Sequence, residues 1–206
     1  MNLPYTKSKM IKPTKLNRGD KVATISLSWG GAGDLPERYK VGKQQLQDTF
    51  DIQVVETKHA LKSSEWIAKN PQARATDLME ALLDPMIKAI ITNIGGEDSI
   101  RTLPFMDLEI IKNNPKIFLG FSDSTVTHFA FYKAGVTSFY GTSLLVGLAE
   151  NNGMHDYQIA DIQRSLFSNK VIGKIQPNKD GWTSERLDWF DPANQFIARK
   201  LESSTE

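Results

Sequence analysis

Residues 116–132, K-I-F-L-G-F-S-D-S-T-V-T-H-F-A-F-Y, place a short apolar run, a sharp turn and a helical pattern in direct succession. The apolar run at 117–119 predicts a buried strand that ends at Gly120. Beyond the turn, apolar residues recur at helical spacing, and Gly135 predicts the end of that helix. Strand, tight turn, serine and helix in this order are typical of a nucleophile elbow.

Two roles for Ser122 are compatible with this local pattern. In a nucleophile elbow, the Ser122 hydroxyl would stand at the strand end beside backbone N–H groups of a helix start. In the alternative, Ser122 or Asp123 is the N-cap of an ordinary helix. The stretch alone leaves both interpretations open.

Size and composition exclude several classes of protein. The 206 residues suffice for one substantial α/β domain, or for one domain and an incomplete second. A net charge of +1 predicts neither a nucleic-acid-binding stripe nor a polybasic membrane patch. The absence of cysteine excludes disulfides and thiolate chemistry. No apolar stretch approaches the roughly 20 residues of a membrane span, and no secretory signal pattern is present, so we expect a cytoplasmic protein.

Strands and helices alternate along most of the chain. The predicted strands are 22–25, 52–56, 87–94, 117–119 and 136–140, with a further candidate at 171–177. The principal predicted helices are 36–49, 71–83 and 156–167, and shorter ones follow residues 99 and 107. Residues 59–70 read as a polar surface excursion. This alternation predicts a three-layer α/β fold with a mostly parallel sheet.

Four loops are expected at the C-terminal edge of this sheet, where open α/β folds bind ligands. They are residues 26–34, 95–99, 120–123 and 141–143. The first is glycine-rich but lacks the spacing of known phosphate-binding loops, so it is either a phosphate cradle or a flexible connection. The N–H groups of Gly96 and Asp123 can together form an oxyanion hole beside Ser122.

A general base for Ser122 is harder to find. His128 lies six residues further along the same helix, about 9 Å along its axis, so it is interpreted as a helix-face residue. His59 and His155 are predicted at the surface. No histidine or carboxylate spacing indicates a metal site, and no cofactor is expected.

Several stretches taken together resemble the serine LD-carboxypeptidase family, and within it the microcin C immunity branch. They are K-P-T-K-L-N-R-G-D-K-V-A-T-I-S at 12–26, I-G-G-E-D-S-I-R-T-L-P-F-M-D at 94–107, N-P-K-I-F-L-G-F-S-D-S-T at 114–125 and F-Y-G-T at 139–142. The resemblance covers nearly the whole chain in the family's order. It favours the nucleophile interpretation of Ser122.

The resemblance implies a Rossmann-like or flavodoxin-like domain with Ser122 as nucleophile and the N–H groups of Gly96 and Asp123 as oxyanion donors. It also implies that Gly95 lies at the substrate and that Trp182 stacks on a nucleotide base, although Trp182 could equally be an aromatic packing at a domain junction. The implied substrates are murein L,D-peptides or peptidyl and aminoacyl nucleotide conjugates, with no nucleic-acid or membrane partner.

The chain departs from the family pattern in two respects. The family elbow usually has tyrosine and isoleucine where this chain has Phe121 and Ser124. The family's catalytic glutamate and histidine belong to a C-terminal swivelling domain, and no positions here match them. We therefore expect residues 1–168 to form the nucleophile domain, residues 169–206 to be a linker and the start of a truncated second domain, and the swivelling domain to be absent.

Three hypotheses about function remain at this level. The leading one is the N-terminal part of a serine carboxypeptidase or amide hydrolase. The second is a catalytically inactive remnant that binds a ligand or pairs with another copy as a homodimer. The third is an unrelated flavodoxin-like binding domain that uses the loop 29–33.

Overall fold

A computed structural model describes residues 10–203. The strands are β1 (Lys21–Ile25), β2 (Gln53–Glu56), β3 (Ile87–Thr92), β4 (Ile117–Gly120) and β5 (Phe139–Tyr140). The α-helices are α1 (Gly31–Asp34), α2 (Pro36–Phe50), α3 (Ser64–Lys69), α4 (Pro71–Leu83), α5 (Leu108–Asn113), α6 (Thr125–Lys133) and α7 (Asp156–Leu166). Short 3-10 helices cover Ser99–Phe105, Ser122–Ser124 and Pro192–Phe196, and a π-helical turn covers Leu144–Leu148.

The five strands form one sheet in the order β2-β1-β3-β4-β5, and every neighbouring pair is parallel. This is the strand order of flavodoxin-like folds, in which the chain reverses its direction of winding between β1 and β3. A ligand crevice is expected at that switch point because the loops leaving the two strands diverge to opposite faces. The predicted α/β class and parallel sheet are confirmed.

Helices cover both faces of the sheet, so the predicted three layers are present. Alternate strand residues enter different cores because successive side chains point to opposite faces. One core receives Val22, Ala89, Ile91, Ile117 and Leu119 and is closed by α2, α7 and the π-helical turn. The other receives Ala23, Ile25, Ile90 and Phe118 and is closed by α4, α5 and α6. The two cores hold the C-terminal strand ends rigidly beneath the loops.

Several predicted elements were wrong in detail. Residues 59–70 contain α3, which begins after Ser63, whose hydroxyl accepts the Trp66 N–H at 3.3 Å. The loop 26–34 includes α1, and β5 is shorter than predicted because Val136 instead forms an isolated bridge with Ile11. Within the described range, residues 171–177 form no strand.

The segment after α7 is attached to the domain through α2. The indole ring of Trp189 lies 4.0 Å from the guanidinium carbon of Arg38, and Arg38 Nη1 donates to Gln195 Oε1 at 2.9 Å. Arg38 Nε also donates to the Leu145 carbonyl at 2.8 Å. Burial lowers the pKa of Arg38 to about 10, against the opposing effect of Glu150. The domain division at residue 168 stays a prediction.

Across residues 10–203, no helix combines the length and the apolar character needed to cross a bilayer.

Candidate active site

An open cleft of about 700 Å³ lies at the switch point, above the C-terminal ends of β1, β3 and β4. Its lining residues are Ser28, Trp29, Ser64, Ala68, Ile94, Gly95, Gly96, Glu97, Asp98, Phe121, Ser122 and Val146. Three of the four predicted loops therefore meet here. The fourth is displaced, because Gly141 and Thr142 follow the edge strand β5 and line a separate cavity beside α7.

Ser122 has the geometry of an elbow residue. Its φ is +59°, in the left-handed region that a serine seldom adopts, and its side chain is exposed in the cleft. Its backbone N–H donates to the Tyr140 hydroxyl at 3.1 Å. Helix α6 begins at Thr125 without a side-chain cap, so neither Ser122 nor Asp123 performs the N-cap role that the alternative interpretation required.

The glycine pair after β3 approaches the elbow closely. A Cβ atom on Gly95 would lie 3.0 Å from Ser122 Cβ, 3.2 Å from its Oγ and 3.3 Å from the Asp123 nitrogen. Gly96 has a φ of +149°, and a Cβ there would lie 2.2 Å from Ser28 Oγ. Only glycine leaves this side of the Ser122 hydroxyl open.

Two backbone N–H groups beside Ser122 are available to a ligand. Within residues 10–203, the N–H groups of Gly96 and Asp123 have no hydrogen-bond acceptor. Both belong to segments that line or border the cleft. The Ser122 N–H, in contrast, is occupied by Tyr140. The arrangement thus offers two free donors of the kind that an oxyanion hole requires.

The Asp123 carboxylate ties the elbow to the loops after β1 and β3. It accepts the Ser28 hydroxyl and the Ser99 N–H, the latter at 2.8 Å. In return, Ser99 Oγ donates to the Asp123 carbonyl at 2.7 Å. Both loops are bonded to the same carboxylate oxygen, Oδ2, and these bonds hold the Asp123 N–H in place.

Ser124, the polar departure from the family elbow, has a structural role. Its side chain is 1% exposed, and its hydroxyl donates to the Phe121 carbonyl at 2.7 Å. A Cβ on Gly120 would lie 2.6 Å from Ser124 Oγ, which shows how closely the turn folds back on the strand end. Ser124 thus adds a second donor to the Phe121 carbonyl, which also accepts the Ser124 N–H at 3.3 Å.

His128 lies beneath the elbow rather than on an open helix face. Its Nε2 is 3.0 Å from the Gly120 carbonyl and its Nδ1 is 2.8 Å from Ser138 Oγ. Since a carbonyl only accepts, the Nε2–H tautomer donates to Gly120 and Nδ1 accepts from Ser138. Burial lowers the pKa of His128 below its ordinary value of 6.5, and the hydrogen bond to Gly120 opposes this shift.

We expect the folding stability of the protein to depend on the protonation of His128. Because its folded pKa is lowered, the unfolded chain binds a proton first, so the free energy of unfolding falls as pH drops below about 6.5. His128→Gln should remove this part of the decline, measured by urea unfolding between pH 8 and pH 5. The control is His155→Gln, which replaces a half-buried histidine outside the elbow whose Nε2 lies 3.9 Å from Glu150 Oε2. Equal slopes for wild type and His128→Gln would contradict the prediction.

The other predicted groups do not join the cleft. His59 is not at the surface as predicted: its side chain is 17% exposed, bonded to Asp77 Oδ1 at 2.8 Å and stacked on Trp66. His155 stands at the start of α7, as predicted. In residues 10–203, no histidine lines the cleft, and no cluster of three or more His, Asp or Glu side chains could hold a metal.

Trp182 is exposed, forms an isolated antiparallel bridge with Glu202 and is not among the residues that line the cleft. Its role in stacking stays a prediction.

Sequence reasoning missed Ser28, Ser99 and Tyr140 as partners of the elbow, and missed the wall residue Val146. The sequence signal for these partners was weak. A residue with a hydroxyl group follows each of three strands, and this pattern is too common to identify partners of Ser122.

Comparison with known proteins agrees with this geometry. Residues 22–141 match the family model of the LD-carboxypeptidase N-terminal domain. A protein of Vibrio cholerae is 30% identical over 181 residues, which cover 87% of this chain and 54% of the relative. The Microcin C7 self-immunity protein MccF of Escherichia coli is 28% identical, covering 83% and 50%. The chain spans about half the length of the curated relatives it matches.

Among solved structures, an MccF-like protein from Streptococcus pneumoniae in complex with AMP superposes with a TM-score of 0.81 at 31% identity. The superposition covers 91% of this chain and 55% of the neighbour. A structure of the Microcin C7 self-immunity protein MccF with aspartyl sulfamoyl adenosine has a TM-score of 0.74 at 27% identity, covering 93% and 57%. On the match over residues 22–141, the chain belongs to the LD-carboxypeptidase family, whose N-terminal domain it contains.

Proposed function

We propose that this chain supplies the nucleophile half of a serine amide hydrolase. The observation that carries the proposal is the exposed Ser122 at φ +59°, placed against the glycine pair with free N–H groups at Gly96 and Asp123. An ordinary helix start needs neither a strained serine nor a closely packed glycine pair. Acyl transfer needs a reachable hydroxyl and preorganised donors for the developing oxyanion, and the strained serine and the glycine pair can supply them.

In the proposed reaction, Ser122 Oγ bonds to the acyl carbon while its proton passes to a base. The carbonyl oxygen takes the negative charge and accepts hydrogen bonds from Gly96 and Asp123. Collapse of the tetrahedral species breaks the acyl–nitrogen bond, and the leaving nitrogen takes up the proton. Water then hydrolyses the acyl-enzyme and regenerates the Ser122 hydroxyl. This sequence is supported by donors and a nucleophile that lie within one cleft.

We further propose that the base comes from a second domain of the family type. No histidine from residues 10–203 lines the cleft, and His128 is engaged beneath the elbow. In this proposal, residues 1–168 form the nucleophile domain, and residues 169–206 lead toward the second domain. Loss of the base costs a serine hydrolase about 10⁴ to 10⁶ in rate, so the chain alone is expected to be nearly inactive.

The proposed substrates are a murein L,D-peptide or a peptidyl or aminoacyl nucleotide conjugate. Two kinds of relative support this choice: a protein of Bacillus subtilis named "Probable murein peptide carboxypeptidase", and MccF structures with aspartyl sulfamoyl adenosine and glutamyl sulfamoyl guanosine. The cleft of about 700 Å³ has room for either class. Trp182 is proposed to stack on a nucleotide base, and a cytoplasmic location stays a prediction.

The test is hydrolysis of an L,D-tetrapeptide and of aspartyl sulfamoyl adenosine, followed by mass spectrometry. Each substrate is offered to the full chain alone and to the full chain mixed with the C-terminal half of the S. pneumoniae relative. We expect turnover of at least one substrate in the mixture, about 10³-fold or more above the chain alone. Failure of the mixture to cleave either substrate would contradict the proposed function.

A second candidate is a catalytically inactive domain that binds ligand, with or without forming a homodimer. It is favoured by the absence of a cleft-lining histidine among residues 10–203 and by exposed apolar side chains in the C-terminal segment, among them Val171, Ile175 and Phe196. It predicts binding of aspartyl sulfamoyl adenosine without turnover in either preparation. Sedimentation of the full chain tests the homodimer separately.

A further inference from the structure

Tyr140 occupies a position at the elbow that the proposed mechanism leaves unused. It is the last residue of β5 and lies in register with Gly120, the last residue of β4. The Gly141 N–H donates to the Gly120 carbonyl at 3.0 Å, which continues the pairing past the strand end. The tyrosine ring consequently lies over the turn, and its hydroxyl accepts the Ser122 N–H at 3.1 Å.

The Tyr140 ring is held from below by His128. The two ring centres are 5.5 Å apart at an interplanar angle of 50°, and His128 is itself fixed by Gly120 and Ser138. A residue in the left-handed conformation benefits from such fixation because its backbone would otherwise relax. Tyr140 thus connects the strained Ser122 amide to a buried and fully bonded histidine.

The phenolic proton of Tyr140 is free. A phenol oxygen that accepts an N–H still carries its own O–H donor. Within the described residues, this hydroxyl has no acceptor, and the side chain is 65% exposed. The donor therefore lies on an exposed side chain that lines the cavity beside α7, with its oxygen 3.1 Å from the Ser122 nitrogen, where a ligand bound at Ser122 could receive it.

Tyr140 and the glycine pair flank Ser122 from opposite sides. In the sheet, β4 lies between β3 and β5. The free N–H of Gly96 follows β3, whereas the Tyr140 hydroxyl comes from β5. If the acyl oxygen of a bound ligand accepts the Gly96 N–H, a different part of the ligand contacts the Tyr140 hydroxyl. That part must be a hydrogen-bond acceptor because the phenol offers a donor.

We propose that Tyr140 is a positioning residue that holds the Ser122 amide and donates its O–H to an anionic oxygen of the ligand next to the scissile bond. That oxygen belongs to the terminal carboxylate of a peptide or to the phosphoryl or sulfamoyl group of a nucleotide conjugate. The inference deepens the proposed function and rests on it. It also explains why the Ser122 N–H takes no part in the oxyanion hole.

The positioning role is tested by amide hydrogen exchange of Ser122 in the full chain, followed by NMR. Tyr140→Phe removes the acceptor, and we expect exchange of the Ser122 N–H to become about tenfold faster or more. Tyr132→Phe is the matched control, since Tyr132 is a similarly exposed tyrosine of α6. Exchange within twofold of wild type in Tyr140→Phe would overturn this role. The measurement needs no turnover.

The donor role is tested by equilibrium binding in a Ser122→Ala background, which prevents hydrolysis. Binding is measured for two matched pairs of ligands, each with one member that carries the candidate oxygen and one that lacks it. We expect Tyr140→Phe to raise the Kd about tenfold for the oxygen-bearing member of one pair. A carboxylate source predicts the effect for a free-acid L,D-tetrapeptide and less than twofold for its C-terminal amide. If the recognised oxygen belongs to a phosphoryl group, the Kd should rise about tenfold for AMP and less than twofold for adenosine.

Equal Kd changes within both pairs, or no binding of any of the four ligands at millimolar concentration, would overturn the donor role. If wild type with the added C-terminal half turns over no substrate while these binding differences are found, the proposed function fails and the role of Tyr140 stands. The two failures are therefore distinguishable.

Discussion

Ser122→Ala is expected to abolish covalent labelling by a serine-directed fluorophosphonate and to lower any amide hydrolysis at least 10³-fold. The reason is that Ser122 is the proposed nucleophile and is exposed in the cleft beside the free N–H groups of Gly96 and Asp123. Removal of the nucleophile from a serine hydrolase costs about 10⁶ in kcat, although background hydrolysis limits the measurable loss. The measurement is mass spectrometry of the full chain mixed with the C-terminal half of the S. pneumoniae relative.

Two further variants make this prediction specific. Ser124→Ala removes the neighbouring elbow hydroxyl, which is buried, and labelling should persist. Gly95→Ala keeps the Ser122 hydroxyl but places a Cβ 3.0 Å from Ser122 Cβ, so labelling should slow about 10- to 100-fold. Labelling of the Ser122→Ala protein at an undiminished rate would show that the nucleophile lies elsewhere.

Asp98→Ala is expected to lower the free energy of unfolding by about 3 kcal/mol, because it leaves the buried charge of Arg74 unpaired. The Arg74 side chain is 0% exposed, and its guanidinium donates to Asp98 at 2.8 Å and 3.3 Å. It also donates to the carbonyls of Leu27 and Ser28, so the ion pair joins the loops after β1 and β3. Urea unfolding followed by circular dichroism measures the loss.

Glu97→Ala provides the matched control for this prediction. Glu97 is the adjacent acidic residue, exposed in the same loop, and its replacement should change stability by less than about 0.5 kcal/mol. Asp98→Asn keeps the side-chain shape without the charge. Its loss in the free energy of unfolding should lie between those of Glu97→Ala and Asp98→Ala. A loss below about 1 kcal/mol in Asp98→Ala would show that Arg74 is sufficiently satisfied by the two carbonyls.

Much of the fold could be predicted because local patterns carry it directly. The helix Pro71–Leu83 has the predicted bounds, since its apolar spacing and the flanking prolines are local features. The apolar runs beginning at Ile87 and Ile117 were identified for the same reason. Short elements were missed: α3 has only six residues, too few for a helical repeat to be seen, and its helix start at Ser63 is one of many serines in the chain.

The candidate site could be predicted only in part. The strand–turn–serine order left two roles open for Ser122, and the family resemblance favoured the nucleophile; the structure places Gly95 against this serine. His128 was placed on a helix face because helical spacing gives direction along one element and not what packs against it. The histidine is in fact enclosed by Gly120 of β4, Tyr140 of β5 and Ser138 of the segment before β5.

The sequence alone determined the period of the longer strands and helices, the position of the sharp turn after β4 and the residue that occupies it. Only the tertiary structure decided which loops meet that turn. The Ser28–Asp123 hydrogen bond joins residues 95 positions apart, and Tyr140 reaches Ser122 only because β5 pairs with β4. Periodicity shows which face of a strand is buried, but it does not specify the order of strands in the sheet. That order places donors on both sides of Ser122.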